Sequence, residues 1–595
     1  MGQQIIVFTV IAIAMLLFID GRIRYDFVAL LGLLVLVVTG VIIPEEAFLG
    51  FSHPAVITVA AVLVISSALI KTGAIDHLVE LLNRGTKSNS VKLIGLMLVT
   101  AIISGFMNNV GALALIMPIA ISVAKDSKLP PSNFLMPIAF ASLLGGMMTE
   151  IGTPPNLIIS IYRTEAGMEP FAFFDFAPVG IVMVIIGITY MALIGWRLIP
   201  HRLTNKNEQL FDIDEYLSEV LVSENCKMIG KTLRDFYTIY KLEINVIGIV
   251  RNGRKIIAPL ANEQVILGDI LILKAIPTDL TELIKKTGMT LKGAKLEELG
   301  FGEKFSIKDL ALVEVVLRGD SPLIGRNAVE TQLRNRFNIN LVAVSRKGTS
   351  STRRLKSFRF RSGDILLIQV PESILQDTFS KLRCLPLAER GVSIKTDKSK
   401  KKQYLALGIF ATSIALTTLG ILPVQIAFTI AALLMILLNI INAREFYDAI
   451  EWPTIIMLGA FLPVGGALQS SGSSDSIANF LVQFSINFSP LYTIAALMTL
   501  TILLTNLINN AAAAVLMAPI ALSLASFMGV SSDPFLMSVC VASSSAFLTP
   551  IGHQSNMLVM GPGGYQFRDY WKVGLPLSIL VIIIGAPLIV LVWPF

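Results

Sequence analysis

Charge is scarce in this chain. Only 15% of its 595 residues are Asp, Glu, Lys or Arg, against roughly 25% in a soluble globular protein. With 54% hydrophobic residues and a mean hydropathy of +0.73, the composition is that of a polytopic membrane protein. Cysteine is scarcer still. Cys226, Cys384 and Cys540 are widely spaced and fit neither a disulfide framework nor a metal-ligand pattern, so they read as reduced structural thiols. No nucleophile, metal cluster or acid–base pair points to an enzyme, and no cofactor is expected. The net charge of +7 does not indicate nucleic acid, because the basic residues sit mainly in one central block and in short loops. The first apolar stretch, Ile5–Ile19, lacks a basic leader and an Ala-x-Ala site, and is expected to be a retained first helix.

Two stretches organise what is present. Met107-Asn108-Asn109-Val110-Gly111 and Ile508-Asn509-Asn510-Ala511-Ala512 each set an Asn pair inside apolar sequence. From Asn108 to Ser122, a shift of 401 finds identical residues at eight of fifteen positions. Adjacent amides in hydrocarbon are costly unless satisfied. The bland reading is hydrogen-bond glue between helices; the same pair in both halves favours a site between two repeats. Each pair separates two half-length apolar arms, as in Val91–Phe106 and Ala112–Ala124, which predicts a re-entrant hairpin. Each half also carries a break: Glu150-Ile151-Gly152-Thr153-Pro154-Pro155-Asn156, and Thr549-Pro550-Ile551-Gly552-His553-Gln554-Ser555-Asn556. Prolines do not continue a helix, and non-helical backbone at membrane depth survives only where protein buries it or it lines a cavity. Further spans are expected at Phe27–Ile43, Ala55–Ile70, Phe134–Met148, Phe176–Leu198, Tyr404–Leu419, Ile426–Ile441, Thr454–Leu468, Phe535–Phe547 and Leu575–Val592, with a short amphipathic piece at Asp76–Leu82. The total is ten or eleven spans plus two hairpins.

Between about 200 and 402 charge rises and strand-like alternation appears. A constant shift of 95 maps Ile229-Gly230 onto Ile324-Gly325, Arg251 onto Arg346 and Gly268-Asp269-Ile270-Leu271 onto Gly363-Asp364-Ile365-Leu366. These are two copies of a small α/β module, roughly 213–290 and 308–385, with each Gly-Asp a turn feeding a strand. They lack a Gly-x-Gly-x-x-Gly fingerprint and do not read as dinucleotide domains. A basic linker, Lys395 to Lys402, closes the block; it reads as an orientation signal, with anionic-lipid contact as a lesser alternative.

After Lys402 only Arg444, Arg568 and Lys572 are basic. Placing them inside, with Arg22, Arg24, Lys71, Arg84 and Arg197 of the first half, sets opposite orientations for the halves under the positive-inside rule. The first hairpin, with Lys87, Lys92, Lys125 and Lys128 at its ends, then enters from inside and the second from outside. The expected fold is a polytopic α-helical membrane protein of two inverted repeats with re-entrant hairpins and broken helices. Its domains are 1–200 and 403–595 in the membrane, with 201–300 and 301–402 as a cytoplasmic α/β insertion.

On these residues the chain resembles the divalent anion/sodium symporter family, the sodium–sulfate and sodium–dicarboxylate transporters. The matching features are Asn109 and Asn510 at the tips, Gly152-Thr153-Pro154-Pro155-Asn156, and Thr549-Pro550-Ile551-Gly552 with Gly561-Pro562-Gly563-Gly564-Tyr565. The two inserted modules are similar to TrkA-C (RCK-C) regulatory domains, as in one branch of the family. The resemblance implies a secondary transporter in the cell membrane, sodium-coupled, for a small divalent anion: sulfate or a similar oxyanion first, dicarboxylate second, with protons as the alternative coupling ion. It implies anion binding at Asn108, Asn109, Val110, Asn509, Asn510, Ala511, Pro154 and Asn156, and cation binding at Asn109, Gly152, Thr153, Asn510, Thr549 and Pro550. Where the family usually carries Ser-Asn-Thr, these tips read Asn-Asn-Val and Asn-Asn-Ala. It further implies a homodimer and a small effector at the soluble modules. Two titratable residues stand in the breaks. Glu150 reads as a proton-coupling or cation-binding carboxylate, or as one that merely reaches water or an amide. His553, at the position equivalent to Thr153, reads as proton-coupling or as structural. A channel and a sensor that has lost transport are the other classes open.

Overall fold

In a computed structural model the chain divides into two compact units. One comprises Met1–Leu203, Arg318–Asp320 and Ile394–Phe595; the other comprises Thr204–Leu317 and Ser321–Ser393. The structure describes residues 2–20, 23–73, 88–127, 129–200, 217–224, 226–233, 235, 245–251, 254–257, 259, 262–274, 283, 286–291, 310–319, 321–337, 339–346, 349–351, 358–371, 375–389, 400–485 and 489–595. The amphipathic piece expected at Asp76–Leu82, most of the basic linker, and Arg22, Arg84, Lys87 and Lys128 lie outside these residues.

The first unit is helical. Its first part holds α1 (Gly2–Asp20), α2 (Tyr25–Val38), α3 (Pro54–Thr72), α4 (Asn89–Phe106), α5 (Asn109–Asp126), α6 (Ser132–Gly145), α7 (Pro154–Glu165) and α8 (Ala177–Tyr190), which continues through a π-helical turn to Leu198. Seven helices among the described residues are long and apolar enough to cross a membrane, since about 20 residues at 1.5 Å rise span the hydrocarbon. Six shorter apolar helices accompany them. The arms around the first Asn pair are α4 and α5, and Lys92 near the start of α4 donates to Ser127 just past α5 at 3.2 Å. Both open ends of that hairpin therefore lie together.

Pro154 and Pro155 stand at the end of the expected break and start the helix that follows it. They occupy the first two positions of α7, where a missing N–H costs nothing and a fixed φ is already helical. Pro118 and Pro137 instead lie inside α5 and α6.

The second unit contains two five-stranded antiparallel sheets. The strands are β1 (Leu217–Leu221), β2 (Asn245–Arg251), β3 (Arg254–Ile257), β4 (Ile270–Lys274) and β5 (Thr290–Leu291), then β6 (Leu310–Leu317), β7 (Asn340–Arg346), β8 (Thr349–Ser351), β9 (Ile365–Pro371) and β10 (Cys384–Glu389), with short helices α9 (Leu333–Phe337) and α10 (Leu375–Leu382) in the second copy. The orders β3-β2-β4-β1-β5 and β8-β7-β9-β6-β10 are the same topology twice. Even the irregularity recurs, between Val246 and Gly248 and between Leu341 and Ala343, 95 residues apart. Each Gly-Asp turn has a structural explanation. Gly268 and Gly363 take φ of 85° and 80°, a region L side chains avoid. The following Asp269 and Asp364 each hold an arginine fork: Arg251 at 2.9 Å twice and Arg346 at 2.7 Å twice.

The chain re-enters the first unit with α11 (Lys400–Thr418), α12 (Val424–Leu437), α13 (Ala443–Ala449), α14 (Trp452–Ser470), α15 (Ser473–Ser485), α16 (Pro490–Thr505), α17 (Asn510–Met528), α18 (Asp533–Ser543), α19 (Gln554–Met560) and α20 (Phe567–Val592). Here α3 packs on α12, α2 on α14, and α17 on both α7 and α14. The helix after the second Asn pair thus beds against the helix after the first break.

Candidate functional site

The two members of each Asn pair do different work. Asn108 and Asn509 are N-caps: their side-chain oxygens accept from Val110 N at 2.7 Å and from Ala512 N at 2.8 Å. This satisfies backbone donors that a helix start leaves open. Asn509 then turns its amide nitrogen to the sulfur of Met457 on α14, at 2.9 Å. Asn109 and Asn510 open α5 and α17 and are buried, at 4% and 8% exposure.

Both buried residues reach across to the other half's break. Asn510 donates to the Thr153 hydroxyl at 3.2 Å, and its oxygen accepts from Ala511 N at 2.9 Å. The Asn109 amide lies 3.4 Å from His553 Nε2. Thr153 and His553 are the N-caps of α7 and α19. The structure thus brings together Asn109 with His553 and Asn510 with Thr153. Against Asn109 lies Gly146, where a Cβ would fall 2.4 Å from the amide oxygen position; only glycine leaves room there.

The scaffolding of the two breaks is duplicated bond for bond. Ser104 donates to Ser142 O and Thr505 to Ser543 O, each at 2.6 Å. Thr149 donates to Gly105 O, and Thr549 to Asn506 O. Asn156 donates to Gly146 O and Thr149 O at 3.0 and 2.6 Å; Asn556 donates to Ala546 O and Thr549 O at 2.7 and 3.2 Å. Each pair is 400 or 401 residues apart. Asn156, expected at the anion, is fully buried and spends its amide holding the break in shape. Its oxygen accepts from Cys540 Sγ at 3.0 Å. The counterpart Asn556 Oδ1 has no partner among the described residues, because Ala139 occupies the position that Cys540 fills in the other copy. A buried unmet acceptor costs about 1–3 kcal/mol. Ala139→Ser supplies a donor on α6, which packs against α19. It is expected to stabilise the detergent-solubilised protein by about 1 kcal/mol in thermal unfolding; an unchanged or lower melting temperature would show that the oxygen is already met.

Glu150 keeps other company. It is buried at 5% exposure, its N–H donates to Phe173 O at 3.0 Å, and its carboxyl bonds with Ser160 of α7. Gly152 contributes a carbonyl beside Asn109, Val110 and Ala511 are buried in the first turns of α5 and α17, and Pro154 opens α7. Pro550 is buried.

Several contributors had no sequence signal. Asn506 accepts from Leu548 N and Thr549 N at 2.8 and 3.1 Å, fixing the second break; its counterpart is Gly105, so comparing the halves hides it. Tyr565 inserts its hydroxyl into the first turn of α6, accepting from Met136 N at 2.9 Å and donating to Ser132 O. It bridges the backbone donor and acceptor of one i→i−4 pair.

Apolar helices in this number, with two buried asparagines paired crosswise to two non-helical breaks, define a multi-pass membrane transporter. The family model CitMHS, described as citrate transporter, matches residues 15–541, and the chain belongs to that family. It is 31% identical to the uncharacterized transporter YfbS of Escherichia coli over the whole of both chains. It is 30% identical to an uncharacterized transporter of Synechocystis sp. over 98% of this chain and 96% of the other. It is also 26% identical to sodium/sulfate cotransporter 1 of Chlamydomonas reinhardtii, over 54% of this chain and 38% of that one.

Proposed function

We propose that the chain is a sodium-coupled symporter of a small divalent anion, with sulfate or a similar oxyanion as substrate. The observation that carries this reading is the crosswise pairing of Asn109 and Asn510 with His553 and Thr153. That pairing sets the starts of α5, α17, α7 and α19 against one another at the two breaks. Helix starts carry partial positive charge and favour an anion. Asn108 and Asn509 commit their oxygens to capping; with the Asn509 nitrogen turned to Met457, it is the Asn108 amide N–H group that faces the anion between the tips. Oxygens of Thr153, Asn510, Thr549 and Pro550 suit a hard cation. The name of the Chlamydomonas relative supports sodium and sulfate.

On this reading the duplicated scaffolds are inverted repeats with re-entrant hairpins, and a repeat-built unit moves against a fixed scaffold. The sheet modules are TrkA-C-like, cytoplasmic and regulatory, answering a small effector in a homodimer. Purified protein in proteoliposomes is expected to accumulate labelled sulfate saturably under an inward sodium gradient, with succinate, phosphate and citrate run as competitors. No accumulation of any of these under either a sodium or a proton gradient overturns the reading.

A further inference from the structure

The two crosswise pairs are chemically unequal. Resting on the sodium-coupled reading above, we infer that the seat at Asn109 holds no coupling cation, and that sodium binds at the Asn510–Thr153 seat alone.

His553 Nδ1 accepts from Ser555 N at 3.1 Å as it caps α19. That nitrogen carries a lone pair, so the ring proton is on Nε2. Nε2 faces the Asn109 amide at 3.4 Å. On the amide's other side stand only acceptors. Ser104 commits its one proton to Ser142 O, so it presents a lone pair. One orientation suits these partners: the amide oxygen takes the ring N–H, and the nitrogen's two protons face three acceptors, Ser142 O at 3.1 Å, Gly152 O at 3.2 Å and Ser104 Oγ at 2.8 Å. The carbonyls that would hold a cation are thus covered by an N–H₂ group, and the remaining amide oxygen is covered by a ring N–H. A cation arriving there meets donors from two directions.

The seat at Asn510 differs at one decisive group. Its cross partner is a hydroxyl, Thr153 Oγ1, which accepts the Asn510 amide on one lone pair and, with a proton that turns freely, keeps the second for a metal ion. An N–H fixed by the helix cap on the opposite ring nitrogen has no such freedom. The replacement of threonine by histidine between the two breaks therefore removes one cation from a pair that a symmetrical protein would bind.

The test is the sodium dependence of anion uptake by the full-length protein in proteoliposomes. Wild type is expected to show a Hill coefficient of about 1 for sodium, and His553→Thr, which restores the hydroxyl, one of about 2. Threonine is also a competent N-cap, so α19 keeps its start. His553→Asn is the second variant, because asparagine caps equally well and brings an oxygen. A Hill coefficient of about 2 in wild type, or one of about 1 in wild type and both variants, overturns the inference while leaving sodium coupling intact. Uptake that needs no sodium overturns the coupled reading itself, and the inference with it.

Discussion

Asn510→Ala is expected to lower sodium-driven uptake by on the order of 100-fold, the upper range of coupling between two sites. Asn509→Ala, one residue away, is expected to lose about 1 kcal/mol of stability and roughly tenfold in uptake. The difference follows from where the two amides go. Asn510 links the start of α17 to Thr153, and so joins a helix of one half to the break of the other. Its removal leaves a buried hydroxyl unmet and takes an oxygen from the cation seat. Asn509 satisfies Ala512 N, a local bond within its own turn, and its nitrogen contacts only a thioether sulfur. Uptake measured per folded molecule, alongside thermal unfolding of each variant, separates the roles. Equal losses for the two variants would show that the pair acts as one binding motif and that the crosswise link carries no special weight.

Much of this arrangement was legible in the sequence because the chain repeats itself. The Asn pairs, the breaks and the 95-residue period of the soluble modules all appear as identities at constant shifts, and each recurs as a duplicated bond or strand pairing. What the sequence could not divide was the labour within each pair. Whether an asparagine caps its own helix or crosses to another depends on what faces it, and the facing residue lies some 350 to 450 positions away. The expected anion contact at Asn156 has the same origin. An amide repeated beside both breaks reads as a ligand, while its nitrogen donates to Gly146 O and Thr149 O. Pro154-Pro155 signalled an interruption, and residues 149–153 are non-helical; that the prolines open the following helix was not legible, because proline both ends and starts helices. Glu150 stood out as a lone carboxylate in apolar sequence. Its bonds run toward Ser160 and Phe173, whereas His553 touches the buried Asn109.

Asp533→Ala is expected to cost about 3 kcal/mol of stability, the scale for breaking a largely buried ion pair by removing one partner. Arg163 at the end of α7 grips Asp533 at the start of α18 with two bonds, 2.8 and 2.9 Å. The two side chains are only 19% and 17% exposed. The guanidinium also stacks 4.5 Å over the Phe171 ring and bonds Glu169 O, contacts that hold it in place once its partner is gone. Lys71–Glu445, at 48% and 36% exposure, is the control: its loss should cost about 1 kcal/mol or less. A double-mutant cycle on Arg163 and Asp533, read by thermal unfolding in detergent, should return a coupling above about 1.5 kcal/mol, and a value near zero would reduce the fork to a surface contact. The pair matters beyond stability because α18 runs directly into the second break. Loosening its start frees the segment that ends at His553, so uptake should fall with stability. On the proposed topology, Asp533 also neutralises Arg163 of the first half on the outer face, where the second half carries no basic residue of its own. Removing that carboxylate leaves Arg163 opposed to the orientation that every inside lysine and arginine favours.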